Sequence, residues 1–120
     1  MRLVHLVTGP DGQSHVREEA RDLDGWQAAT GIRFEETPAG SSLDWHVAPR
    51  RQYVITLTGT LEFTTRGGET FTITPGDVLL AEDTTGSGHE WRIVGPDPWC
   101  RAYVSLEGVS PETIPPKDLP

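Results

Sequence analysis

Short runs of alternating hydrophobic and polar residues, closed by Gly, Pro or Asp, cover most of the chain. Arg2 to Thr8 is rich in Leu and Val and stops at Gly9-Pro10-Asp11-Gly12, so it reads as a first strand. Ser14 to Asp24 is ambiguous: Val16, Ala20 and Leu23 share a helical face, yet the strand-like surroundings favour an extended edge segment. Gly25 to Thr30 is a connector in which Trp26, the one large residue, is expected to cover the core. Ile32 to Glu36 is a short strand ended by Thr37-Pro38-Ala39-Gly40.

The pattern strengthens from Leu43. Leu43 to Ala48 and Gln52 to Thr58 read as a first hairpin around Pro49-Arg50-Arg51. Leu61 to Thr65 pairs with Thr70 to Thr74 across Arg66-Gly67-Gly68-Glu69, whose glycines permit the positive φ of a tight turn. Val78 to Ala81 follows as a short buried strand after Pro75-Gly76-Asp77, and a loop leads to a last hairpin, His89 to Val94 and Cys100 to Leu106. About ten short strands with turns every 8 to 12 residues predict an all-β sandwich or barrel. One domain is expected: residues 1–30 pack on a barrel formed by 31–106, and Pro111, Pro115, Pro116 and Pro120 mark 107–120 as a tail that wraps the barrel or frays.

Strand parity groups the side chains. Asp44, His46 and Ala48 share a face; Gln52, Val54, Thr56 and Thr58 lie opposite Tyr53, Ile55 and Leu57; His89, Trp91 and Ile93 fall together. Parity alone does not say which face is the lumen.

Composition narrows the function classes. Thirteen Gly and ten Pro in 120 residues suit strands joined by turns. Ten basic against eighteen acidic residues give a net charge of −8, which disfavours nucleic acid and anionic membrane as partners. Nine of the ten cations are Arg, so bidentate recognition of a carboxylate or phosphate is open wherever one points inward; Arg50 and Arg51 are expected to be solvated or paired with acids. Cys100 is the only cysteine, expected as a buried thiol. With no disulfide, no signal peptide and no apolar span, a soluble cytoplasmic protein is expected.

Residues 31–106 resemble the cupin family, whose first motif is G-x5-H-x-H-x3,4-E-x6-G and second G-x5-P-x-G-x2-H-x3-N. The first stands here as His46-x-Ala48-x3-Gln52-x6-Gly59, with Ala48 and Gln52 in place of the second His and the Glu. The second begins as Pro75-Gly76-Asp77, has Glu82 where the family has Pro, and runs through a longer loop to His89. The segments Trp45 to Tyr53 and Leu79 to His89 are similar to those of small single-domain bacterial cupins. The resemblance implies a jelly-roll barrel, with His46 and His89 converging in its pocket, and a homodimer in which Arg2 to Thr8 completes a neighbour's sheet.

The family's motifs imply a divalent transition metal, Fe, Mn, Ni or Zn, and no organic cofactor. Here His46, His89 and Gln52 are the candidate ligands. Glu82 or Asp83 is the candidate replacement carboxylate, with Asp44 as a further source. Without a metal, His46 and His89 are a general base and acid, Gln52 orients a carbonyl or hydroxyl, and Tyr53, Trp91 and Tyr103 shape a substrate pocket. Three functions stand side by side: a metal-dependent lyase, isomerase or oxygenase, a metal-independent enzyme or small-molecule binder, and a structural barrel. His5 and His15 are expected on the surface.

Overall fold

The computed structural model describes residues 2–108. They form ten strands and no helix: β1 (Arg2–Thr8), β2 (Ser14–Ala20), β3 (Gly31–Thr37), β4 (Ser42–His46), β5 (Gln52–Thr58), β6 (Thr60–Thr65), β7 (Thr70–Ile73), β8 (Val78–Ala81), β9 (His89–Val94) and β10 (Trp99–Ser105). The expected all-β jelly roll is present as two sheets, ordered β2-β1-β8-β5-β10-β3 and β4-β9-β6-β7.

The predicted first and last hairpins do not exist. β4 pairs with β9, and β5 with β8 and β10, so β4 and β5 lie in different sheets, as do β9 and β10. Five residues separate β4 from β5, a length that a hairpin loop could have, but each strand finds its partner across the barrel rather than next door. Between the sheets, Val4, Leu6, Val54, Leu61, Phe63, Ile73, Leu79, Ile93 and Trp99 form the core. Each fully buried Leu among them contributes roughly 1.5–3 kcal/mol through lost apolar hydration.

β1 sits inside the six-stranded sheet, antiparallel to β2 and parallel to β8. Both of its edges are hydrogen-bonded within the chain, so in this structure neither is open to a neighbour's strand. Its Leu3 and Val4, on opposite faces, are both fully buried, which explains its nearly continuous apolar run. On the outer face, Leu3, Val78, Leu80 and Leu106 form a second cluster joined by Leu23, Tyr53 and Ile55. Trp26 does not cover the core, being 63% exposed; Leu23 takes that role. β2 is the edge strand expected for Ser14 onward, and most of the 107–120 tail lies outside the described residues.

One glycine fixes the route between the sheets. Gly59, between β5 and β6, has φ of 95°, and a Cβ there would lie 2.7 Å from the Pro98 carbonyl oxygen and 2.9 Å from Trp99 Cα. Both the left-handed backbone and the close approach require Gly.

Candidate functional site

His46 ends β4 and His89 begins β9, and the two are register partners across the strand pair. Their rings lie edge to face with centroids 4.4 Å apart. Gly88 makes this approach possible: its φ is 99°, and a Cβ would sit 3.0 Å from the His46 carbonyl oxygen.

Each ring is held from behind. His46 Nδ1 lies 2.7 Å from the Asp44 backbone carbonyl, which can only accept, so Nδ1 carries the hydrogen and Nε2 keeps its lone pair. His89 Nδ1–H donates to Asp83 Oδ2 at 2.8 Å. Neither Nε2 has a hydrogen-bond partner among the described residues. Burial holds His46 below the usual histidine range, partly offset by the bond to Asp44 and reinforced by His89, so His46 is neutral at neutral pH.

Asp83 is fully buried and takes its other bonds from Ser14 Oγ–H, 2.7 Å to Oδ2, and Ala48 N–H, 3.4 Å to Oδ1. Burial alone would raise its carboxyl. The hydrogen bond and charge of His89, with Ser14 and Ala48, outweigh burial and leave the group below the usual carboxylate range. Ser14 Oγ in turn accepts from Gly88 N–H at 2.9 Å. The lengthened loop thus ties β2 to the front of β9, with Asp83 orienting His89 from behind.

Both imidazoles line a cavity of about 370 Å³ inside the barrel. Gln52, Trp91 and Tyr103 are on its wall, together with Val54, Phe63, Leu79 and Ala81. Gln52 is buried, and its Oε1 has no hydrogen-bond partner. Tyr53 is not on the wall: it follows Gln52 on the same strand, so alternation turns it to the outer face, where its hydroxyl donates to Gln27 Oε1 at 2.7 Å. Glu82 is also outside, between His5 Nε2 (2.6 Å) and Arg51 Nε (2.5 Å). His5 is accordingly half-buried rather than on the surface. Asp44 offers the site its backbone carbonyl, while its side chain accepts from Trp45 N–H. Cys100 points out toward Glu36 and is only partly buried.

The wall also holds residues the motifs did not single out. Arg101 on β10 is 3% exposed, with its guanidinium 3.8 Å above the Trp99 ring. Its Nε–H donates to Tyr103 Oη (3.0 Å), Nη1 to Thr37 Oγ1 (2.5 Å) and the Trp99 carbonyl (3.1 Å), and Nη2 to Glu35 Oε2 (3.2 Å). Arg33 and Arg50 stand at the exposed rim. Three cations against Glu35 make this lumen positive within an acidic chain.

The model of the cupin domain matches residues 33–104, more than half of the chain. The chain belongs to the cupin family. No curated protein matches this cupin significantly. Among solved structures it is similar to an uncharacterized conserved protein with a double-stranded β-helix domain from Klebsiella pneumoniae, at 18% identity and a TM-score of 0.50, over 72% of this chain and 75% of that one. It is also similar to the cupin domain of Schizosaccharomyces pombe Cnp3, at 16% identity and a TM-score of 0.50, over 86% and 85% of the two chains. At these identities the likeness speaks for the fold alone.

Cupin membership raises the question of a metal. The lumen of this cupin offers two imidazole nitrogens and the neutral Gln52 oxygen. Neither loop carboxylate joins them, since Asp83 is spent behind His89 and Glu82 faces outward. Among the described residues, no three His, Cys, Asp or Glu side chains converge as a metal site. A neutral donor set sharing a cavity with three arginines does not fit a resident divalent ion.

Proposed function

We propose that this cupin encloses a small organic molecule in its barrel and uses His46 and His89, without a resident metal, as a proton-transfer pair on it. One observation carries the reading: both Nδ1–H groups are tied to protein acceptors, which leaves two Nε2 atoms for the lumen on rings 4.4 Å apart. Neutral His46 is the base. His89, fixed by Asp83, is its counterpart, and Gln52 supplies an unpartnered acceptor for a ligand hydroxyl or amine. The cavity is near the small end of the roughly 300–1,000 Å³ usual for ligand sites, so it suits one compact molecule.

A metal-dependent reaction is the second reading. It is favoured by the tied Nδ1–H groups, which also orient histidines toward metals, and by Gln52 Oε1. The missing carboxylate and the positive wall place it second. Elemental analysis of untagged protein, with imidazole ¹⁵N NMR, separates the two. We expect well under one equivalent of transition metal, and imidazole ¹⁵N resonances of metal-free rings that one equivalent of Zn²⁺ or Mn²⁺ leaves in place. Stoichiometric metal lost in His46→Ala would overturn the metal-free reading.

A further inference from the structure

We infer that the molecule bound in the lumen is a small organic carboxylate, held by Arg101 and Tyr103 in exchange for Glu35. The inference rests on the proposal that the cavity is a ligand site, and it names the ligand's class.

A guanidinium buried to 3% exposure needs a counter-anion, because an unpaired buried charge is strongly destabilising. Glu35 supplies one, but loosely. It meets Arg101 through a single oxygen at 3.2 Å, it also lies 3.5 Å from Arg33, and its side chain is 36% exposed. Four donor contacts of the guanidinium are assigned, three of them to neutral oxygens that also fix its plane over Trp99. Nη2, with two hydrogens, serves only Glu35. Swinging Glu35 out to solvent therefore costs little geometry and presents Nη2 to the cavity.

Tyr103 adds a second donor. Its hydroxyl oxygen accepts from Arg101 Nε–H, and no acceptor among the described residues takes its own hydrogen. Nη2–H and the Tyr103 O–H together match the two oxygens of one carboxylate. The apolar wall of Val54, Phe63 and Trp91 suits the body of such an acid, and Gln52 stands farther along. Arg101 pairs with Thr56 and Gln52 lies four residues down the same strand, so about 13 Å of barrel separates the two backbones. The exposed Arg33 and Arg50 raise the local anion concentration at the rim, although the chain as a whole is acidic. A carboxylate is favoured over a phosphate because the anion that this guanidinium already accepts is a carboxylate, through one oxygen.

The test is an NMR titration, reading the Tyr103, Arg101 Nε, His46 and His89 signals, with benzoate, benzamide and phenyl phosphate as probes. Benzoate should bind at least about tenfold more tightly than its neutral amide at low salt and shift Arg101 Nε. Glu35→Gln removes the competing charge but keeps an amide oxygen that can accept from Arg101 Nη2; it should lower stability, so its folded state is verified by tryptophan fluorescence before the titration, with Glu35→Asp as the charged control. Glu35→Gln should tighten benzoate about threefold or more and leave benzamide unchanged. Benzamide binding as well as benzoate, or Glu35→Gln leaving benzoate affinity unchanged, would overturn the carboxylate assignment while the cavity remains a ligand site. Tighter binding of phenyl phosphate would overturn it in favour of phosphate esters. If none of the three probes moves the Arg101, His46 or His89 signals, the reading of the cavity as a ligand site fails as well.

Discussion

Asp83→Asn is nearly isosteric, and its cost can be worked from three distances. Two short bonds converge on Oδ2, from Ser14 Oγ–H at 2.7 Å and His89 Nδ1–H at 2.8 Å, and Ala48 N–H reaches Oδ1 at 3.4 Å. An amide oxygen placed at Oδ2 keeps both short bonds but makes them neutral, weakening each by about 1 kcal/mol. The amide NH₂ then faces Ala48 N–H, donor against donor, and leaves that buried group unsatisfied for about another 1 kcal/mol. The sum is about 3 kcal/mol, a large part of the roughly 5–15 kcal/mol typical of a domain. Urea unfolding followed by tryptophan fluorescence measures it. The loss should also be non-additive with Ser14→Ala, since one variant weakens and the other removes the same bond. A variant within about 0.5 kcal/mol of the parent protein would refute the claim that Asp83 is the buried acceptor holding this corner.

Acid should destabilise the protein in two windows. The folded-state value of His46 lies below its ordinary 6.5, so the unfolded chain binds the extra proton first and stability falls as pH drops from about 6.5 through the lowered value. Asp83 is likewise depressed below 3.8, so its contribution is present above that value and lost as pH falls through its folded one. Urea midpoints from pH 8 to 3 should therefore decline twice. His15, raised by Asp11 and Glu69, adds stability as pH falls over the upper window and opposes the decline, and Asp11 and Glu19, also depressed, share the lower one, so each variant is read against the parent. His46→Gln should reduce the upper decline and Asp83→Asn the lower, and a parent-to-His46→Gln difference that stays constant from pH 7 to 5 would contradict the burial of His46. Gly59→Ala should cost about 2 kcal/mol or more, combining a left-handed non-Gly residue with contact against the Pro98 carbonyl, and thermal denaturation close to that of the parent would count against it.

The strands were legible from the sequence because local alternation and the turn residues lie within a few positions of one another. Their pairing was not, because nothing local tells Leu43 to His46 that its neighbour is His89 to Val94 rather than Gln52 to Thr58. The histidine pair was legible through spacing shared with a family. Tyr53 was misplaced although the alternation that put Gln52 inside already put Tyr53 outside. Arg101 was missed although it sits two residues from Tyr103 and two from Trp99, on the same face of one strand; that parity was a usable signal. Glu35 was not legible, since only the register of β3 on β10, which brings Glu35 opposite Arg101, makes it a partner. Glu82 and Asp83 follow a strand whose side chains are all buried, so sequence did not reveal which of them turned outward.

The parallel pairing of β1 with β8 bears on how the chain assembles. Leu3 meets Val78 across most of the chain, and Ser14 meets Asp83 across 69 residues. Closing loops of that length makes folding slow, on the order of milliseconds to seconds for such topologies. β3 on β10 closes a loop of similar length, from Gly31 to Ser105. Ser14 rides on the N-terminal hairpin, so its bond to Asp83 forms only once that hairpin docks on β8, and opening the hairpin would free the group that orients His89.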